Sequence, residues 1–245
     1  MQTRSGAEIV VDGDIVCKLH RAGTDPRALT VRLGIAARSD CLLSPLSTAP
    51  EPVGARWRSR WPRVDVVAPQ PESLPWSQAG ELLAQLHREP RPTRTPAHGW
   101  PRRLRRAVDM LRGGNPSVRR AAAALPDAAW RAGSRDRPTT LVHGDFHLGQ
   151  LGRHHSRWLL LDVDDLGAGD PAWDLARPAG FWAAGLIPDD DWRNFLDAYR
   201  GAGGPALPDA DPWPVLDAFA RAAVVQAAAH HPDDEMLAAA CARMF

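Results

Sequence analysis

The stretch TLVHGDFHLGQLGRHHSRWLLLDVDDLGAGDPAWDLAR, residues 140–177, decides the fold. Two short apolar runs organise it. Leu141–Val142 leads into His143-Gly144-Asp145, and Trp158 to Leu161 leads into Asp162-Val163-Asp164-Asp165. Each reads as a buried strand that ends in carboxylates. Such carboxylates are costly unless a cation or hydrogen bonds satisfy them. Acids held at strand ends by rigid backbone suit a metal-assisted reaction. The nearby ligands are carboxylate and amide oxygens without cysteine, so Mg²⁺ is the ion that fits.

Working outward, residues 7–19 read as a hairpin. Ala7 to Val11 is apolar apart from Glu8, Asp12-Gly13 is a turn dipeptide, and Ile15 to Leu19 resumes the apolar run. Residues 26–38 place Leu29, Leu33 and Ala36–Ala37 at helical spacing behind Pro26. Residues 56–68 hold one or two strands. Pro69-Gln70-Pro71 then breaks the pattern and reads as a connector between lobes. Ser77 reads as the cap of a helix whose apolar face is Leu82, Leu83 and Leu86.

Composition narrows the function. The 245 residues carry 30 Lys plus Arg against 29 Asp plus Glu, a net charge of +1. That balance argues against a general nucleic-acid or membrane-surface binder. No run approaches the roughly 18 apolar residues of a membrane span. The three cysteines, Cys17, Cys41 and Cys241, form no metal-type pair and suggest no disulfide framework. Residues 1–18 lack the apolar core of a secretory signal, so a cytoplasmic protein is expected. Charge is nonetheless segregated. Residues 88–137 hold thirteen arginines against four acids, and residues 186–245 hold ten acids against four arginines. Solvated faces are the ordinary reading of such runs. The functional reading is that the acidic end helps attract a cationic substrate.

The motif order resembles the aminoglycoside phosphotransferase and choline kinase group of small-molecule kinases. His143-Gly144-Asp145 is followed, after four intervening residues, by an amide, Gln150. A strand ending in Asp162 comes next, then Gly169-Asp170-Pro171 and Asp174-Leu175-Ala176. Gln150 stands where most of the group has Asn, a variant that maltokinase-like relatives share. The resemblance implies a two-lobed α+β, protein-kinase-like fold. Its small N-terminal β lobe spans about 1–69 and its helical C-terminal lobe 70–245. It implies ATP or GTP as phosphoryl donor, Mg²⁺, and a small-molecule hydroxyl acceptor: an aminoglycoside, another antibiotic or a sugar.

The same resemblance implies a role for each matching residue. Asp145 takes or orients the proton of the acceptor hydroxyl. Asp162 and Gln150 hold Mg²⁺, and Asp164 binds a second ion or its water. His143, Asp170 and Asp174 brace the loop. Kinases of this shape also use a lysine of the N-terminal sheet on the nucleotide phosphates. Lys18 is the sole lysine of the sequence and lies at the end of the predicted hairpin. No Glu is available on the 26–38 helix to pair with it; Asp25 and Glu51 only flank that helix. A phosphate-covering loop is not evident beyond Ser5-Gly6. His147, Trp173 and Trp182 are candidate substrate contacts, with core packing the ordinary role for the aromatics.

Two other readings compete. A nucleotide-binding pseudokinase or partner-binding protein would explain the reduced N-lobe. A dinuclear metal phosphoesterase would gather His143, Asp145, His147, His154, His155, Asp162 and Asp164, though the later Asn-His pair such enzymes use is absent.

Overall fold

The Asp12-Gly13 turn closes as its sequence predicts, with Gly13 at φ +57. In the computed structural model, which describes residues 6–67, 74–111 and 113–244, it joins β1 (Glu8–Asp12) to β2 (Ile15–Leu19). The two strands pair antiparallel with Ile9 opposite Lys18. Helix α1 (Pro26–Ala36) follows, and the Asp25 carboxylate caps it by accepting from the Arg27 amide at 3.0 Å. Then come β3 (Glu51–Val53) and β4 (Arg56–Pro62), completing a sheet in the order β1-β2-β4-β3. Lys18 therefore stands on an inner strand, opposite Ser59. The first residue of the proposed Ser5-Gly6 loop and the Pro69-Gln70-Pro71 connector lie outside the described residues.

A second small sheet joins the lobes. β5 (Asp65–Val66) pairs with β7 (Leu151–His154), which pairs with β8 (Arg157–Leu160). The Leu43 amide donates to the Leu160 carbonyl at 2.9 Å, and the Leu160 amide donates to the Cys41 carbonyl at 2.8 Å. Arg32, buried on α1, donates from Nε to the Leu166 carbonyl at 2.8 Å. These bonds fix the N-terminal sheet over the segment that carries Asp162.

The helical lobe begins with α2 (Trp76–Arg88), one residue before Ser77. Ser77 is thus inside the first turn and does not cap it. The buried Trp76 anchors this end instead, packing edge-on against Phe195 at 5.9 Å. Burial of an indole outweighs the roughly 1 kcal/mol of a capping bond. Helices α3 (Trp100–Asp109) and α4 (Pro116–Ala123) precede β6 (Thr140–Val142). After β9 (Gly167–Gly169) come α5 (Ala172–Ala183), α6 (Asp189–Gly201), α7 (Trp213–His230) and α8 (Glu235–Ala242). Helix α2 packs on α6, and α5 packs on α7. At the first contact a Cβ on Gly80 would lie 2.3 Å from the Phe195 carbonyl oxygen, so only glycine admits this approach.

β6 and β9 pair antiparallel, with Val142 opposite Gly167. The pairing delivers the His143-Gly144-Asp145 loop to the same end of the lobe as Asp162–Asp165. Gly144, at φ +82, sits so close that a Cβ would lie 2.2 Å from the Asp165 carbonyl oxygen. The two acidic loops are packed backbone to backbone.

Candidate active site

The loop after β6 is held from beneath by one carboxylate. Asp174, on the first turn of α5, accepts from the His143 amide at 2.6 Å, the Gly144 amide at 2.9 Å and His87 Nε2 at 3.0 Å. His87 Nδ1 meets the Tyr199 hydroxyl at 2.8 Å, and that hydroxyl accepts from the Ala206 amide at 3.0 Å. Burial pushes the Asp174 carboxyl upward, but His87, His143 and the Gly144 amide more than offset it, so it is held below its ordinary value of 3.8. His143 is fully buried. It donates from Nε2 to the Leu161 carbonyl at 2.6 Å and accepts on Nδ1 from the Asp145 amide at 3.3 Å. Asp170 is clamped by Arg137 through a forked pair at 2.9 and 3.1 Å. Of the three residues expected to brace the loop, His143 and Asp174 bond to its backbone, whereas the Asp170 carboxylate meets Arg137 and the Ala172 amide.

Across the cleft, the Lys18 ammonium lies 2.6 Å from Asp162 Oδ1 and 2.9 Å from Asp164 Oδ2. Burial disfavours its charge, yet the two carboxylates outweigh burial and raise its pKa. Asp164 likewise resists burial through Lys18 and His20, and its pKa falls. His20 Nδ1 is 2.9 Å from Asp164 Oδ1, while its Nε2 meets Ser59 Oγ at 2.8 Å. Asp162 is one of two non-glycine residues at positive φ among the described residues, at +56. Its Oδ1 accepts from the Asp164 amide at 3.1 Å. A side chain kept in that region costs about 1–3 kcal/mol and is characteristic of functional sites. The partner of Lys18 is thus this acidic pair. Glu51 instead binds Arg58 and Arg60 within the sheet, and Asp25 caps α1.

Mg²⁺ suits these residues. Two carboxylate oxygens already converge on a single cationic atom, the Lys18 nitrogen, in an all-oxygen setting. Gln150 lines the same cleft, which spans about 1480 Å³.

Asp145 is a further carboxylate of the cleft. Burial raises its pKa, against the pull of Arg103 and Arg177. Arg103 Nη1 lies 2.5 Å from Asp145 Oδ2 and 2.9 Å from Asp165 Oδ2. Arg177 Nη2 is 3.6 Å from Asp145 Oδ1. Neither arginine stands out in the sequence. Arg103 hides in the basic block, where its spacing of three from the buried Trp100 was the available signal. Arg177 follows Asp174 by three and therefore shares its helix face.

The candidate substrate contacts divide. His147 lines the cleft, and burial together with Arg177, His143 and Arg103 depresses it to a pKa of about 3, so the imidazole is neutral. Trp173 and Trp182 do not line it. Trp173 is fully buried, stacked on Trp100 at 5.1 Å, and its indole donates to the Arg131 carbonyl at 3.0 Å. Trp182 stacks on Trp192 at 5.5 Å and donates to Asp189 at 2.8 Å. Both serve packing, because the helix face that carries them turns toward α6 and α7.

The acidic run also faces elsewhere. Of its ten acids, Asp234 alone lines the cleft among the described residues, and it caps α8 through the Leu237 amide at 3.0 Å. Asp190 pairs with Arg193 and Asp217 with Arg221 on helix surfaces. The expected attraction of a cation by this run has no counterpart in the cleft. The dinuclear grouping fails as well. His154 and His155 meet with tilted rings, 4.2 Å between centroids, at the end of β7 and away from the cleft lining. Among the described residues no three His, Cys, Asp or Glu side chains form a metal cluster.

A sequence profile of the phosphotransferase enzyme family matches residues 44–218. The chain belongs to this family. Solved structures agree on the phosphotransferase fold. A choline/ethanolamine kinase family protein from Mesorhizobium loti superposes with a TM-score of 0.61 at 18% identity, covering 99% of this chain and 86% of that one. An aminoglycoside phosphotransferase from Streptomyces rimosus gives 0.59 at 17% identity, covering 91% and 93%. An amicoumacin kinase, solved with AMP-PNP and Ca²⁺, gives 0.60 at 15% identity, covering 99% and 87%. No curated protein matches the chain in sequence. The two-lobed α+β architecture is that of these phosphotransferases. Among the described residues no helix is long and apolar enough to cross a membrane.

Proposed function

We propose that the protein transfers the γ-phosphoryl group of ATP or GTP, with Mg²⁺, to a hydroxyl of a small molecule. One observation carries this reading. Asp145 is fixed on a loop clamped by Asp174, opposite the Lys18–Asp162–Asp164 cluster and in the same cleft. In this reading the sheet of residues 1–69 covers the nucleotide, and Lys18 leaves the acidic pair to meet its phosphates. Asp162, Asp164 and Gln150 would hold Mg²⁺, which neutralises phosphate charge when bound. Asp145 takes the hydroxyl proton as the acceptor oxygen forms its bond to phosphorus and the nucleoside diphosphate departs. Positioning and electrostatics do most of the work. A protein that consumes cellular nucleotide would work in the cytoplasm.

The test combines thermal shift and turnover. Mg-ATP or Mg-GTP at millimolar concentration is expected to raise the melting temperature, and a panel of hydroxyl compounds to give phosphorylated product. Asp145→Asn should cut turnover about 10²–10⁴-fold while nucleotide binding survives. Undiminished turnover would remove Asp145 from its role. A pseudokinase reading draws on Arg32 standing on α1 where no Glu faces Lys18. A nucleotide shift with no turnover on any acceptor would favour it.

A further inference from the structure

The cleft wall beyond Asp145 is built from guanidinium groups. Arg102, Arg103 and Arg106 come from α3, and Arg177 comes from α5. They derive from the basic block and from the motif helix. Asp145 is shared between two of these cations, Arg103 at 2.5 Å and Arg177 at 3.6 Å. Arg103 has a second counter-charge in Asp165. Among the described residues Arg177 has no second carboxylate: its other contacts are a neutral amide, Gln226 Oε1 at 3.2 Å, and the face of the Trp100 ring. The Nε atoms of both arginines are buried without a hydrogen-bond partner. A buried cation with an incomplete set of acceptors is expensive unless something supplies the missing negative charge.

Two groups could supply it, the transferring phosphoryl or the acceptor. Position favours the acceptor. Gln226 on α7 holds Arg177, and the wall continues through Phe181, Ala227 and Leu237. Lys18 and its acidic pair, where the nucleotide phosphates are expected, belong to the opposite lobe and to the segment after β8. An ammonium-bearing acceptor would bring like charge against Arg103 and Arg177. A planar carboxylate or a phosphate matches the fork of a guanidinium.

Resting on the kinase reading above, we propose that the acceptor is an anionic hydroxy compound, whose carboxylate or phosphate group binds Arg177 and Arg103 while its hydroxyl faces Asp145. Guanidinium contact with that anion frees Asp145 for the hydroxyl. The neutral His147 adds no further charge on this side.

Isothermal titration calorimetry at constant ionic strength tests this on protein saturated with Mg-AMP-PNP, which fills the γ-phosphoryl position. Three probes share one open-chain skeleton: gluconate is anionic, glucitol neutral and glucamine cationic. Gluconate is expected to bind saturably, about tenfold or more tighter than glucamine, and Arg177→Gln should weaken it by a similar factor while Arg177→Lys weakens it less. Glucamine binding as tightly as gluconate would overturn the proposal. So would the absence of saturable gluconate binding, or gluconate affinity unchanged in Arg177→Gln. Gluconate binding with Mg-ADP that vanishes with Mg-AMP-PNP would also overturn it, because the arginines would then serve the phosphoryl group. If Arg177→Gln does not fold, the order of the three probes on the unaltered protein decides alone. The nucleotide titration itself reports on the kinase reading. Its failure would sink that reading, and the gluconate titration would still stand or fall on the free protein.

Discussion

Two clusters of the cleft set carboxylates against cations by different means. In one, a single ammonium, Lys18, serves two carboxylates, Asp162 and Asp164. In the other, a single carboxylate, Asp145, serves two guanidiniums, Arg103 and Arg177. The first cluster has surplus negative charge and is ready for cations. Asp165 joins the second and also meets Arg102, so three arginines face two carboxylates and the second cluster keeps surplus positive charge. Opposite imbalances a few side chains apart can polarise one substrate complex from both ends. The contrast teaches that near-neutral composition conceals what matters, which is how charge is divided between walls of the same cleft.

The comparison can be broken most decisively on its acidic side. Asp162→Ala is expected to abolish Mg²⁺-dependent nucleotide binding, measured by calorimetry with and without EDTA. Retained metal-dependent binding would show that the Lys18 cluster is only an internal ion pair. The next effect concerns the support both clusters share. Asp174→Asn leaves His87 and two loop amides facing a weaker acceptor in a fully buried position, and about 3–5 kcal/mol of stability should be lost at pH 7. Because the folded pKa of Asp174 is depressed, its stabilisation is present above the ordinary value of 3.8 and is lost as pH falls through the folded value. The melting temperatures of variant and parent should therefore converge in acid; a constant gap would contradict this origin.

The smallest effect sharpens the basic side. In the proposed reaction Asp145 must be ionised to take a proton, and burial places its pKa above 3.8. Arg103 is the strongest opposing influence, so Arg103→Gln should push that pKa further up. The acid limb of kcat/KM should move to higher pH, and a limb that stays in place would show that Arg103 does not sense the Asp145 charge.

The acidic cluster and the loop were legible in the sequence because their chemistry is contiguous. A strand, a turn and a carboxylate follow within a few residues, at spacings that the backbone itself enforces. The hairpin was legible for the same reason, with Gly13 supplying the positive φ. The arginine wall was not legible. Twenty-nine arginines leave no contrast by which Arg103 could stand out, and its partner lies 42 positions away in Asp145. Trp173 misled in the opposite sense: proximity to the motif suggested a substrate contact, whereas the face of α5 that bears it packs on Trp100 and Phe219. The start of α2 at Trp76 shows a tertiary contact overriding a local capping signal.

Lys18 is the one ε-amine in the sequence, and it is buried in an ion pair. Acylating reagents that label lysines thus meet a chain with a single ε-amine target, shielded while it holds Asp162 and Asp164. Intact-mass spectrometry would then follow one side chain without any engineered tag. The scarcity of lysine elsewhere in the sequence leaves the acidic side of the cleft with a built-in chemical reporter.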